Sequence, residues 1–227
     1  MKKKITIFTL LALCLLTFSA CGKSSVNLND YLIEKRENLF TANDNLYSVS
    51  FSTGMRETDY NLDGIVNEQV PFGILTLTRN DNLPLANDTY TYLVTINEQS
   101  YSGFLEKDNS NSYSADLEVN TTKDATINVQ VSFTGYSFNK DLENTSNGFQ
   151  VDCNTALKVA QQELNENVSN LLKDKNVHIE VIMKIMKDHS VEDLKNYYWY
   201  VGIISTNGET LGILIDANNG SVIAKKV

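Results

Sequence analysis

Between Tyr47 and Phe133 the chain alternates apolar and polar residues in one segment after another, with no helical run between them. Tyr47, Val49, Phe51, Thr53 and Met55 are separated by Ser48, Ser50, Ser52 and Gly54. A period of two is the mark of a strand with one buried face. Tyr90, Tyr92, Val94 and Ile96 repeat the pattern, as do Tyr101, Gly103 and Leu105. Tyr113, Ala115, Leu117 and Val119 form another such set, and Ala125, Ile127, Val129, Val131 and Phe133 the last. Phe72 to Thr78 is apolar on both sides, with Leu75 and Leu77 opposing Phe72 and Ile74, which suits a central strand. The links between these segments are rich in Asn, Asp and Ser, the residues of turns. Six strands at this spacing predict an antiparallel β-sandwich-like domain over residues 44–148. The polar stretch Lys140–Gly148 marks its end.

From residue 149 the period changes. Asp152 is placed to cap a helix beginning at Cys153, along which Leu157, Ala160, Leu164, Val168 and Leu171 make one apolar stripe. Strands are predicted at Ile179–Met186, Tyr197–Ser205, Thr210–Asp216 and Ser221–Lys225, with Asn207-Gly208 and Asn218-Asn219-Gly220 as turns. Residues 149–227 therefore read as a small helix-plus-antiparallel-meander unit. The expected fold class is mainly β with an α+β C-terminus. Upstream, Gly22–Asn29 is small and polar and reads as a tether. Leu32, Arg36, Leu39 and Phe40 fall near one face of a short helix predicted over Asp30–Phe40, so residues 21–43 are tether and helix.

The leader carries a different message. Lys2, Lys3 and Lys4 precede an uncharged apolar run from Ile5 to Phe18, and Ser19-Ala20 lead to Cys21. A basic start, a short apolar run and small residues at the cut describe a secretory signal over residues 1–20. Phe18-Ser19-Ala20-Cys21 resembles the lipobox of bacterial lipoproteins, with Phe18 where that family prefers an aliphatic residue. The resemblance implies cleavage before Cys21, acyl chains (palmitate among them) on its thiol, and anchoring to the extracytoplasmic face of the cell membrane. At the other end, Ala156–Ala160, Tyr198-Trp199-Tyr200-Val201 and Ile215–Val222 resemble the PepSY family in pattern. That resemblance implies a non-catalytic module of the cell envelope, with an envelope peptidase or a peptide as partner.

Charge narrows the function classes. The formal charge is −9, and loss of the three leader lysines takes it to −12. Nucleic-acid binding rests on neutralising phosphates, so no nucleic-acid partner is expected. An anionic membrane surface gains nothing from this surface either, which leaves the lipid to hold the protein. Of the three Cys, Cys14 belongs to the leader and Cys21 to the anchor, leaving Cys153 without a partner for an internal disulfide.

The chain contains no Gly-x-Ser-x-Gly elbow, His-Glu-x-x-His pair or phosphate-binding glycine loop. Asp59-Tyr60-Asn61-Leu62-Asp63-Gly64 fits the opening half of a calcium loop, with Asp59, Asn61 and Asp63 as oxygen ligands. The closing Glu of that motif is replaced by Val70, and an Asp-Gly turn between strands explains the same residues. No other cofactor is indicated. Tyr198, Trp199 and Tyr200 form an aromatic run that can supply a contact surface. Strand alternation sends Tyr198 and Tyr200 to one face and Trp199 to the other. The expectation is a membrane-anchored, non-catalytic binding or modulatory module, with peptidase regulation as its suggested role. A structural or assembly lipoprotein is the alternative, and a hydrolase ranks third.

Overall fold

The computed structural model describes residues 26–58, 61–81, 86–108, 111–187 and 197–227. Eight strands come first: β1 (Leu32–Asn43), β2 (Tyr47–Glu57), β3 (Gln69–Arg79), β4 (Tyr90–Ile96), β5 (Gln99–Lys107), β6 (Ser112–Leu117), β7 (Ile127–Phe133) and β8 (Tyr136–Asn144). The helix α1 (Cys153–Leu171) follows, and then β9 (Ile179–Lys187), β10 (Tyr197–Ser205), β11 (Thr210–Asp216) and β12 (Val222–Lys226). The first eight are joined in the order β1-β2-β3-β6-β5-β4-β7-β8. β8 returns to β1 through Asn144 opposite Phe40 and Glu143 opposite Thr41. The result is a closed antiparallel barrel. β9 pairs in parallel with β1, and β10, β11 and β12 continue outward from it.

This overturns the sandwich. The two strands that close the barrel are the two the sequence pattern hid. β1 occupies most of the predicted Asp30–Phe40 helix, of which only a 3-10 turn at Leu28–Tyr31 is helical. Its register shifts between Arg36 and Asn38. A bulge adds a residue and breaks the period of two. Both faces of β1 are covered, with Leu39 in the α1 core and Phe40 in the barrel core, so Leu32 and Ile33 are buried as adjacent neighbours, as are Leu39 and Phe40, a spacing that imitates a helical face. β8 buries only Phe138 and Leu142, and its second half is the polar stretch read as a boundary. Without these strands, six remain with open edges, and two packed sheets is the natural solution. With them, the sheet closes on itself, which removes those edges.

The PepSY-like assignment is overturned with it. Residues 149–227, read as a small helix-plus-antiparallel-meander unit, do not stand as a PepSY-like fold beside a sandwich. They contribute one helix and four strands that extend the sheet of the barrel through β9 and β1.

Side chains fill the barrel interior. Phe51, Leu75, Leu77, Val94, Val129 and Val131 are completely buried there. Tyr47, Tyr90, Tyr113, Phe133 and Tyr136 cluster beside them, with Tyr90 and Tyr113 ring centroids 4.3 Å apart. The hydroxyls of Tyr90 and Tyr113 both donate to the Ala86 carbonyl, and that of Tyr136 donates to Asp44. Each ring thus buries its apolar body while its hydroxyl keeps a partner.

A second core lies between α1 and one face of β9–β11. Leu157, Ala160, Leu164 and Val168 join Val181, Met183, Trp199, Val201, Ile213 and Ile215 there. The opposite face, with Ile182, Lys184, Tyr198, Tyr200, Ile204 and Leu214, is only half-buried. On that face the Tyr200 ring lies over Gly202 and Gly212. A Cβ on Gly202 would stand 2.6 Å from the Tyr200 hydroxyl, so glycine makes room for the ring.

Candidate functional site

The outer edge of β1 changes partner along its length. Leu32–Lys35 pair with Val181–Met183 of β9, whereas Phe40 and Thr41 pair with β8. β9 does not stop where β1 leaves it. Its residues up to Lys187 stay paired with β10, Lys184 opposite Tyr200 and Lys187 opposite Tyr197. The sheet therefore forks, and a groove of about 430 Å³ fills the fork.

Strand geometry gives the groove its two walls. Side chains on a strand alternate between faces. From β3 only Ile74, Thr76 and Thr78 line the groove, so that wall is the outer face of the barrel. β2 adds Ser48, Ser50 and Ser52, with Ser48 opposite Thr78, Ser50 opposite Thr76 and Ser52 opposite Ile74. Hydroxyls thus stand in rows across neighbouring strands. From β9, by contrast, four consecutive residues line the groove, Lys184 to Lys187. Consecutive lining means that the groove follows the edge of β9. Beyond Met183 that edge carries no ladder partner among the described residues.

The charges have one sign. Arg36, Lys184 and Lys187 line the groove, and among the described residues no carboxylate does, in a chain with more acidic than basic residues. The cations are not equivalent. Arg36 is compensated by Glu34, with Nε 2.6 Å from its Oε1, and lies over the Phe72 ring. Lys184 has no ion pair or hydrogen bond among the described residues, and its Nζ lies 5.7 Å from the centre of the Tyr200 ring. Burial pushes its pKa down, the nearby Arg36 charge adds to this, and Glu34 opposes it.

Two other concavities are less coherent. One, between the start of α1 and the β6–β7 link, mixes Glu37 and Asp152 with Lys123. The other gathers Glu34, Glu57 and Glu118 around Arg56, whose guanidinium is held by both oxygens of Asp116. Among the described residues no three His, Cys, Asp or Glu side chains group closely enough to hold a metal ion.

The residues singled out from the sequence fall in several places. Cys21 and Asp59 lie outside the described residues. Asn61 and Asp63 lie in the β2–β3 connection. The Asp63 carboxylate accepts from the Ile65 amide at 2.9 Å, and its own amide donates to Glu180. Gly64 follows with φ +74° against His178, the left-handed residue of the turn. Trp199 is 2 % exposed and belongs to the α1 core, where its Nε1 donates to the Val151 carbonyl at 2.8 Å. It offers no contact surface, which leaves Tyr198 and Tyr200 on the open face.

The groove itself was missed. Ser48, Ser50 and Ser52 read only as a solvent face. The one local signal was Lys184, a single charge inside the apolar run Ile182-Met183-Lys184-Ile185-Met186. Comparison with known proteins gives no match: no family model, curated protein or solved structure is significantly similar to the chain.

Proposed function

We propose that the protein is an exported lipoprotein, anchored through Cys21 to the extracytoplasmic face of the membrane, and that the fork groove is its ligand-binding surface. The leader supports the anchor: a basic start, an uncharged run from Ile5 to Phe18, and Cys21 after two small residues. One acyl chain holds a protein only marginally, and the two that a lipobox cysteine receives hold it stably.

The observation that carries the binding reading is Lys184. Its ammonium is half-buried and makes no ion pair among the described residues, and Glu34, the carboxylate that acts on it, is already paired with Arg36; such a group is unfavourable, and natural structures pair it. Here the carboxylates that line the concavity near Arg56 are absent from the lining beside Lys184. A ligand that supplies the missing charge makes sense of both facts. The hydroxyl rows and the open strand edge add neutral hydrogen-bonding groups around that charge.

The test is photo-crosslinking in intact cells. A photoreactive amino acid at Thr76, on the groove wall, is compared with one at the exposed Lys140 of β8. The expected result is an adduct from position 76 that position 140 does not give. Identical patterns from both positions would remove the groove as the binding surface. The anchor is tested separately. Cys21→Ser is expected to abolish incorporation of labelled fatty acid, because only the thiol accepts the lipid; undiminished labelling would refute the anchor.

A further inference from the structure

We infer that the fork groove takes an extended acidic peptide segment, which adds as a strand to the open edge of β9. The inference rests on the binding reading above and names its ligand class. Three observations converge on it. First, past Met183 the edge of β9 facing the groove has no ladder partner among the described residues, while its other edge stays fully paired with β10 through Lys187. Backbone N–H and C=O groups need partners, and an extended peptide supplies them in register. Second, four consecutive β9 residues line the groove. At about 3.3 Å per residue this edge runs roughly 13 Å, enough to pair with a short extended segment. Third, the charge is one-sided, and Lys184 has the Tyr200 ring beside it but no ion pair or hydrogen bond among the described residues.

Other anions fit less of this. A free phosphate would answer Lys184 but leave the strand edge unpaired. A carboxylated sugar would use the hydroxyl rows and the cation, and again leave the edge. A peptide whose alternate residues are Glu or Asp answers the edge through its backbone and Lys184 through one side chain, because alternate side chains face the same way. Lysines on an open edge also have a defensive role, since they discourage chance strand pairing. That defence does not hold against an acidic strand, so the same residue excludes most strands and selects one kind.

The experiment uses the full chain in detergent and three fluorescein-labelled five-residue peptides, read by fluorescence anisotropy at low salt. One peptide alternates Glu and Val, one alternates Lys and Val, and the third is the Glu–Val peptide N-methylated on alternate amides. The Glu–Val peptide is expected to bind and the Lys–Val peptide not to. N-methylation blocks strand pairing without altering charge, and is expected to weaken binding by about tenfold or more, as is Lys184→Gln. Fluorescence of Trp199 checks that the variant remains folded.

Equal binding of the N-methylated peptide would overturn strand addition. Binding indifferent to Lys184→Gln and to Lys187→Gln would show that the peptide sits elsewhere, which also overturns the inference. If no acidic peptide binds while Thr76 still yields its specific adduct, the ligand class is wrong and the groove stands. If neither occurs, both readings fail.

Discussion

Cys153 shows two effects of opposite sign at a single residue. It opens α1, and a helix N-terminus favours the thiolate. Burial favours the thiol, and here burial wins: the Cys153 thiol is pushed up to about 12. Its Sγ lies 3.5 Å from the Met183 sulfur in the α1 core. The thiolate is the reactive form, so a thiol reagent at pH 8 is expected to leave Cys153 of the native protein unlabelled, read on the peptide that contains it. Labelling should appear at the rate of unfolding in denaturant. Fast labelling of the native state would show that α1 opens locally. The sequence already showed that this residue has no internal disulfide partner, and a free Cys behaves as a small apolar residue. It could not reveal Lys184 in the same way. A charge in an apolar strand says that something is unusual, but its neighbours across the fork come from β2 and β3, far along the chain.

Among the elements, α1 was legible because nothing interrupts its signal. Asp152 accepts from the Thr155 amide at 2.7 Å as the cap, and the buried positions follow the apolar stripe. Leu164 is fully buried on that stripe, and Glu163 beside it is exposed, 3.8 Å from Lys225. Leu164→Ala is expected to cost about 2–5 kcal/mol. Glu163→Ala should stay within about 0.5 kcal/mol, as an exposed ion pair adds little. Urea melts of the two variants give the comparison, and equal losses would mean that the packed face has been misassigned. β1 and β8 were illegible for stated reasons. Burial on both faces and a bulge turned the first into a false helix. The second has only two buried apolar residues, too few to show a period. Sheet closure depends on those two strands, so errors in two weak elements changed the predicted architecture while the strong strands β2, β4 and β7 lay where alternation placed them.

The whole molecule hangs on β1. Leu39 belongs to the core beneath α1, and its neighbour Phe40 to the barrel core. The two cores are therefore expected to unfold together. Fluorescence of Trp199 reports the α1 core, and near-ultraviolet dichroism of the tyrosine cluster reports the barrel. Coincident transitions in denaturant are the expected outcome. Two separated midpoints would show that β1 can serve one core without the other.

The same strand sets the timing of folding. Phe40 must find Asn144 before the barrel can close, and Lys35 must find Met183 before the C-terminal strands join its sheet. Pairings between residues so distant in the chain slow folding, and proteins dominated by them take about milliseconds to seconds. β1 can pair with β2 early, but its other edge waits for partners made late, so the barrel stays open while the chain is being synthesised. The export proposed above needs a chain that has not yet folded, and a barrel that closes late meets that need.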